Sequence, residues 1–253
     1  MSNNPHSIGH VNRIGLIGDV HAEDELLAQA LSFLTDASQT SAPIDALLCT
    51  GDVADGGGCV DRSCALLAEY GVHTVRGNHD RWLLADKVRH IPEAHERHSL
   101  NSHSQTFLDE LPATIRFDTP MGPGLLCHGI AHHDQAKVWP GTERLKPESS
   151  ELLDDLLALD EYRVLLNGHM HFRTVIHFES LALLNAGTLK PRHRPGFSIV
   201  DFTSGEILAY EFAEQQCQHV ITRSLNPAAD NRVWRDTQEF DGAWEPTTLY
   251  APS

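Results

Sequence analysis

The 253-residue sequence predicts an α/β fold in which a mixed two-sheet β-sandwich is flanked by helices. Two observations lead to this prediction. In the first half, short apolar runs alternate with amphipathic segments, a pattern typical of parallel strands joined by right-handed helical crossovers. In the second half, strand-like segments follow one another closely and are separated by turn signals, so a single open parallel sheet fits less well.

The first half predicts a βαβαβ unit. Its strands are RIGLIGDV, DALLCTGDV and VHTVRGN, and the helices between them are EDELLAQALSFLTD and CVDRSCALLAEY. The helical segments have apolar residues spaced three and four apart, whereas the strands are short continuous apolar runs. Two further helices are predicted at SQTFLDEL and SSELLDDLLALDE, and the leucines of the second mark one buried face.

The second half is mainly β. Its predicted strands are GPGLLCHGI, RVLLNGHMH, TVIHFESLALLNAG, GFSIVDF and EILAYEFA, with a turn at TSGE. We therefore place residues 1–217 in one domain. From about Gln218 the chain becomes polar and irregular, so residues 218–253 are predicted to form an irregular C-terminal extension packed on the domain.

Composition narrows the class of protein and its partners. The net charge of -16 disfavours long nucleic acids and anionic membrane surfaces, unless a local patch or a bound metal reverses the sign. The five cysteines include no CxxC pair, which argues against a disulfide framework and a thiolate zinc site. No segment resembles a signal peptide or a membrane span. We expect a cytoplasmic protein, and the sequence predicts no oligomeric state.

Polar residues gather where predicted strands end. These residues follow five apolar runs, and they are Asp19 and His21, Asp52 and Asp55, Asn78, His79 and Asp80, His128, and His169 and His171. Ligands of α/β proteins bind in the crevice outside the carboxyl ends of the strands. We therefore expect the five loops to converge on one site.

The donor types at this predicted site indicate metal binding. Carboxylates, one amide and several imidazoles, without a thiolate, suit manganese, iron or zinc better than calcium, which prefers oxygen alone. The donors are too many for one tetrahedral ion. Two metals about 3.5 to 4 Å apart that share a carboxylate would use them all, and this arrangement recurs in phosphoester hydrolysis.

The ordered motifs GDVH, GDVAD, GNHD, His128 and GHMH resemble those of the calcineurin-like metallophosphoesterase superfamily, whose pattern is DxH, GD, GNH(D/E), H and GHxH. The resemblance extends from Asp19 to His171. LLNAGTLKPRHRPGF also resembles the NPGS loop of the small bacterial YfcE-like branch, with Ala186 and Thr188 in place of proline and serine. The resemblance implies a four-layer αββα fold.

The resemblance also implies roles for individual residues. Asp19, His21 and His171 would hold one divalent ion, Asn78, His128 and His169 would hold the other, and Asp52 would bridge them. Manganese is the expected metal, with iron, zinc or nickel as alternatives. His79 would act as a proton donor or charge stabiliser at the leaving oxygen, and Asp55 would orient its ring. Gly56 stands where related Ser/Thr phosphatases with a GDxxDRG loop have arginine.

The predicted function is metal-dependent hydrolysis of a small phosphodiester or phosphomonoester by in-line attack of a metal-bridging hydroxide. One alternative is a protein Ser/Thr or dinucleoside polyphosphate phosphatase, although Gly56 removes one of the expected phosphate contacts. A different class of alternative is a non-catalytic metal-binding scaffold.

Several other polar residues receive predictions of their own. Asp80 is interpreted as the N-cap of a helix over RWLLADK, and His132 and His133 as surface residues. Arg192 and Arg194 could bind phosphate, and the sequence leaves this question open. No role is assigned to the remaining histidines between the third strand and the next helix, which are His90, His95, His98 and His103.

Overall fold

Two mixed β-sheets form the centre of the structure, a computed structural model that describes residues 6–214 and 216–252. Among these residues the strands are β1 (His6–His10), β2 (Arg13–Ile17), β3 (Ala46–Cys49), β4 (His73–Thr74), β5 (Thr114–Thr119), β6 (Gly122–Cys127), β7 (Val164–Asn167), β8 (Thr174–Phe178), β9 (Ala182–Asn185), β10 (Gly196–Asp201), β11 (Glu206–Ala213), β12 (Gln216–Ser224), β13 (Val233–Trp234) and β14 (Thr247–Thr248). The α-helices are α1 (Asp24–Thr35), α2 (Val60–Glu69), α3 (Asn78–Leu84), α4 (Ser102–Glu110) and α5 (Glu151–Leu159).

The strands form a six-stranded and an eight-stranded sheet. The smaller sheet has the order β12-β11-β10-β2-β3-β4, and the larger has the order β1-β5-β6-β7-β9-β8-β13, with β14 also paired to β8. Strands β2, β3 and β4 are parallel neighbours, which confirms the predicted βαβαβ unit. Strands β6, β7 and β9 are parallel in the larger sheet, as are the outer pairs β1–β5 and β8–β13. Antiparallel pairs are present in both sheets, among them β10–β11, β5–β6 and β8–β9.

The two sheets pack face to face, and helices cover their outer faces. The alternation of side chains along β2 shows how the layers form. Leu16 points between the sheets towards Leu126 and Leu166, whereas Ile17 points outward to Leu27 and Leu31 of α1. Each such fully buried leucine contributes about 1.5–3 kcal/mol. Helix α5 packs on the outer face of the larger sheet, so the predicted αββα layering is confirmed.

Several elements differ from the sequence prediction. Strands β1 and β5 were not predicted, because HSIGH is polar and TIRFDT carries charges among its apolar residues; the two strands pair with each other at the sheet edge. The segment predicted as one strand over 174–187 contains β8 and β9, an antiparallel pair. The third predicted strand is reduced to the two residues of β4.

The C-terminal part is more regular at its start than the sequence predicts. Strand β12 runs through the predicted boundary at residue 218 because its backbone pairs along β11 as far as Ser224. Apart from the two-residue strands β13 and β14, which pair with β8, the chain is mostly irregular from Leu225 onward. Beyond it, Trp234 and Trp244 are buried in the same apolar cluster as α5, on the outer face of the larger sheet. The division into a domain and an extension stays a prediction.

In the described part of the chain, no helix combines the length and apolarity needed to cross a bilayer. All five cysteines are free thiols, and Cys49, Cys64 and Cys127 are buried.

Candidate metal centre and active site

The predicted site residues meet at the carboxyl ends of five strands. Asp19 and His21 follow β2, Asp52 and Asp55 follow β3, Asn78 and His79 begin α3 after β4, His128 follows β6, and His169 and His171 follow β7. Parallel strands of a sheet present their carboxyl ends at one edge, which brings the loops of each sheet together. The face-to-face packing of the sheets then joins the two sets of loops.

Left-handed backbone conformations turn several of these side chains towards the common point. Five of the nine predicted site residues have positive φ angles, and they are His21, Asp52, Asp55, His169 and His171. A non-glycine residue in this region costs on the order of 1–3 kcal/mol. The surrounding packing must therefore hold each loop in a conformation that the isolated chain would rarely adopt.

Two glycines allow the loops to approach one another. A Cβ atom at Gly77 would overlap the Asp52 carboxylate, and a Cβ atom at Gly168 would overlap the Asp19 carboxylate and the Thr50 side chain. The glycines in GNHD and GHMH are thus required because a neighbouring loop occupies the space that a side chain would need. They let the carboxylates of the first two loops lie directly against the backbone of the later ones.

One group of donor atoms is formed by Asp19, His21, Asp52 and His171, whose ligating atoms all lie within 4.8 Å of one another. The Nε2 atoms of His21 and His171 are 2.8 Å apart and point to the same spot. Nε2 of His171 is also 3.3 Å from Oδ2 of Asp19. This group contains all the residues predicted for the first metal.

A second group of donor atoms consists of Asp52, His128 and His169. Nε2 of His128 lies 3.1 Å from Oδ1 of Asn78, which adds the predicted amide oxygen to this group. A single oxygen, Oδ2 of Asp52, is 3.2 Å from Nε2 of His128 and 3.8 Å from Nε2 of His21. Asp52 therefore lies between the two groups, in the position predicted for a shared ligand.

His79 stands beside the donor groups and is held by Asp55. Its Nδ1 atom is 2.8 Å from Oδ2 of Asp55. Because a carboxylate only accepts, Nδ1 carries the hydrogen, and Nε2 is left for another partner. The Asp55 carboxylate also accepts two hydrogen bonds from Arg89, at 2.8 and 2.9 Å, and one from the backbone N–H of His95. Asp55 is thus fixed on several sides.

The sequence matches the family profile of the calcineurin-like phosphoesterase superfamily domain over residues 13–205, which is most of the chain. The chain belongs to this superfamily. The match spans all five loops that form the site.

Several solved structures share the fold. A metallophosphoesterase from Sphaerobacter thermophilus is 17% identical, with a TM-score of 0.61 over 80% of this chain and 88% of the other. A hypothetical protein from Pyrococcus horikoshii is 14% identical, with a TM-score of 0.63 over 80% and 89%. The YfcE phosphoesterase from E. coli is 14% identical, with a TM-score of 0.51 over 85% and 100%. No curated protein matches the sequence.

The charges of the site fit divalent cations. Asp19 and Asp52 are buried, and their ion-pair partners within residues 6–214 and 216–252 are histidines alone. Buried carboxylates are stable only when they are paired or coordinate a metal. Burial opposes the ionisation of Asp52, but His128, His21 and His79 outweigh it and hold its pKa well below the usual range. The residues present therefore suit the metals that the superfamily implies.

The imidazoles differ in their protonation. Burial lowers the pKa of His21 and of His169 to about 4, so both rings are neutral at physiological pH. Burial also disfavours the cation of His128, but the charges of Asp52 and Asp19 outweigh it and raise the pKa of this ring to about 10. A neutral ring is required for metal coordination. His128 must therefore lose a proton before it can act as a ligand.

Backbone carbonyls orient two of the predicted ligands. Nδ1 of His128 donates to the carbonyl of Thr50, and Nδ1 of His21 donates to the carbonyl of Asp55, each at 2.8 Å. These bonds leave Nε2 of each ring free to face the donor groups, as is usual for metal-binding histidines. The Thr50 hydroxyl also donates to Asp19 at 2.7 Å.

Sequence reasoning missed three residues of this environment. Thr50 has no distinguishing signal except its place before GD, and Arg89 lies in a loop with no recognisable motif. Nδ1 of His193 is 2.9 Å from Nδ1 of His171, on the ring side opposite the donor group. His193 lies between Arg192 and Arg194, the two residues that the sequence suggested as phosphate contacts, and nothing in the local pattern distinguishes it.

Two other predictions need correction or comment. Asp80 is not an N-cap, because α3 begins at Asn78; Asp80 lies in the first turn and accepts from the N–H groups of Gly77 and Ala54. Arg194 packs on the Tyr250 ring and bonds Glu211 and the carbonyl of Ala251, so its guanidinium is engaged in structural contacts.

His132 and His133 are exposed, as predicted, and line a cavity of about 210 Å³ next to His128. Gly56 could not be arginine in this backbone, since its Cβ atom would overlap the His21 carbonyl.

Proposed function

We propose that this calcineurin-like phosphoesterase uses two divalent metal ions, with manganese as the expected metal, to hydrolyse a small phosphodiester or phosphomonoester. The observation that carries the proposal is the position of Asp52 Oδ2 between His21 and His128, each of which belongs to a different group of donors. A carboxylate shared between two ions is the feature that distinguishes a dinuclear from a mononuclear site.

The metals would supply the nucleophile, and the protein's residues would hold the metals in place. Bound metal ions would lower the pKa of a water molecule to supply the nucleophile and would neutralise the phosphate oxygens. Asn78, His128 and His169 would hold one ion, while Asp19, His21 and His171 would hold the other.

His79 is the residue suited to the leaving group. Burial lowers its pKa, but the hydrogen bond from its ring to Asp55 and the charges of Asp52 and Asp55 outweigh burial and raise the pKa above the usual value. The ring therefore retains a proton more readily than an ordinary histidine. With Nδ1 committed to Asp55, Nε2 would donate to the leaving oxygen of an ester cleaved in line.

Two alternatives receive less support. A Ser/Thr phosphatase of the GDxxDRG type needs an arginine after Asp55, and the backbone at Gly56 leaves no space for one. A non-catalytic scaffold would not need His79, Asp55 and Arg89 to be arranged beside an intact set of metal donors. The free thiols support a cytoplasmic location, and the charge of -16 supports a small phosphorylated substrate over long nucleic acids.

The test is a hydrolysis screen of the protein loaded with manganese, iron, zinc or nickel against phosphomonoesters, phosphodiesters and nucleotides. We expect turnover of at least one small ester, abolished by a chelator and restored by metal. Elemental analysis should give two metals per chain in the active preparation. A protein that binds two metals and hydrolyses none of these esters would contradict the proposal.

A further inference from the structure

We propose that the cavity next to His79 is the subsite for the leaving group and that it takes a flat aromatic ring system. The inference rests on the proposed function, because it uses His79 to place the leaving oxygen. Both roles considered for His79, proton donation and charge stabilisation, require the leaving oxygen to lie beside its ring. Whatever group that oxygen carries must then extend into the space next to His79.

That space is a cavity of about 440 Å³ with His79 in its lining. Trp82, Val88, Ile91 and Pro92 form an apolar part of its wall. Its volume falls within the range of about 300 to 1,000 Å³ that is usual for small-molecule sites. The cavity is therefore large enough for a ring system and apolar enough to favour one over a strongly hydrated group.

Trp82 presents an aromatic ring to the cavity next to His79. His79 and Trp82 are three residues apart on α3, so their side chains lie on the same face of the helix. Their ring centroids are 4.9 Å apart, with an angle of 56° between the planes. A ring that stacks on Trp82 would thus be close enough to His79 for its ester oxygen to reach the imidazole.

The apolar wall is held in place by the same residue that holds Asp55. Arg89 lies between Val88 and the Ile91–Pro92 pair, and its guanidinium bonds Asp55 and the carbonyls of Lys87 and His95. Val88 has a φ of 56°, a conformation that a β-branched residue adopts only when its surroundings impose it. The wall is therefore preformed, which reduces the entropic cost of binding.

Charged residues of both signs also line the cavity. Lys190 and Arg192 contribute positive charge, and Glu23 and Glu93 contribute negative charge. The cavity therefore has no single sign that would select a highly charged leaving group. Its one large and specific feature is the Trp82 face, which favours an aromatic group.

A second cavity competes for the same role. It has a volume of about 520 Å³ and is lined by Phe172, Ile221 and Tyr250 among others, on the side of His171 and His193. His79 does not line it, so a leaving oxygen at His79 would direct its substituent away from this second cavity. We assign the leaving group to the cavity at Trp82 for that reason.

The experiment compares benzyl phosphate with ethyl phosphate, whose alcohols are similar leaving groups, so that a difference reports on binding of the ring. We expect the metal-loaded wild type to prefer benzyl phosphate in kcat/KM. Trp82→Ala should lower the benzyl-to-ethyl ratio by about tenfold, because aromatic pairs add to the effect of burial. Ile221→Ala, in the second cavity, is the matched control and should leave the ratio within about twofold.

A binding measurement independent of metal and turnover completes the test. In the NMR spectrum, the indole N–H resonance of Trp82 is the one that Trp82→Phe removes. Titration of the metal-free protein with 2-naphthylmethanol should shift this resonance. Equal kcat/KM for the two esters, or a ratio lowered by Ile221→Ala and not by Trp82→Ala, would overturn the subsite while the proposed function stands. If the protein hydrolyses neither ester but cleaves a phosphodiester of the screen, the titration decides, and an unshifted indole resonance would overturn the subsite alone. Failure to hydrolyse any ester of the screen would overturn the proposed function and the subsite with it.

Discussion

The guanidinium of Arg89 donates two hydrogen bonds to the carboxylate of Asp55, at 2.8 and 2.9 Å, and the same carboxylate accepts from Nδ1 of His79 at 2.8 Å. The side chains of Arg89 and Asp55 are 18% and 1% exposed, so this pair is largely shielded from solvent. In the proposed reaction Arg89 would therefore be a positioning residue, which acts on His79 through Asp55. No sequence motif predicted this role.

Replacing Arg89 should therefore impair the leaving-group step. We expect Arg89→Met to reduce turnover of alkyl phosphoesters about tenfold to a hundredfold, less than the 10² to 10⁴-fold typical of losing a general acid. Nitrophenyl esters should lose less, because nitrophenolate leaves without a proton. Arg89→Lys should restore little, since lysine cannot form the bidentate pair.

The control for Arg89 is Arg97→Gln. Arg97 bonds the carbonyl of Leu84 and makes no hydrogen bond to Asp55. Steady-state kinetics of Arg89→Met and Arg97→Gln are compared on alkyl and nitrophenyl esters, and the metal content of each variant is measured. The comparison separates the loss of His79 positioning from a general destabilisation of the protein. Equal losses of Arg89→Met on alkyl and nitrophenyl esters would contradict the positioning role.

His79→Asn should show the same pattern more strongly. We expect both metals to be retained, with a loss of about 10² to 10⁴-fold on alkyl esters and a much smaller loss on nitrophenyl esters. Asp55→Asn should show a weaker version, because it leaves the imidazole present but disturbs its orientation and removes a charge that helps it to retain a proton. Pre-steady-state kinetics must first establish that chemistry limits both substrates. Equal losses would leave His79 as a charge stabiliser, and loss of a metal would identify it as a ligand.

Asp52→Asn should lower both metal occupancy and turnover, because Oδ2 of Asp52 faces both groups of donors. The matched control is Asp24→Asn, which alters another buried carboxylate, bonded to Arg62 and to the backbone N–H of Cys59. This control should retain both metals. The shared role of Asp52 is wrong if elemental analysis finds two metals per chain in Asp52→Asn and activity stays within about threefold of wild type.

Metal binding should release a proton from His128. Its pKa in the metal-free fold is raised from 6.5 to about 10, so the ring is charged at pH 8 and must become neutral to coordinate. The stabilisation from this charged ring is complete below pH 6.5 and is lost as the pH rises towards 10. Metal affinity should therefore increase with pH over the same interval.

Calorimetric titration with metal at pH 8, in buffers of different ionisation enthalpy, measures this release directly. We expect about one proton from His128 in the wild type. His128→Asn should bind metal more weakly and release fewer protons. Binding without any proton release would show that the ring is neutral in the metal-free protein.

Affinity for long nucleic acids should be low. A protein with a net charge of -16 gains little from the release of counterions at a phosphate backbone. A gel-shift assay with duplex DNA at physiological salt should show no complex at micromolar protein. Tight, salt-sensitive binding would instead indicate a basic surface that outweighs the overall charge.

Local patterns in the sequence predict part of this protein correctly. The alternation of apolar strands with amphipathic helices predicted the βαβαβ unit, and the ordered motifs from Asp19 to His171 predicted which side chains lie together. Both predictions succeed because strand ends and their loops are local features, and because parallel strands bring those ends to a common edge.

Other features depend on contacts between distant segments, and no local pattern predicts them. The link from Arg89 to Asp55 and the bond from His128 to the Thr50 carbonyl join loops that follow different elements, and no local pattern specifies either pair. The edge strand β1 likewise becomes a strand through its pairing with β5, since its polar residues do not favour strand structure on their own. These contacts form only when the two sheets have packed, because packing supplies the free energy that holds the site loops in unfavourable backbone conformations.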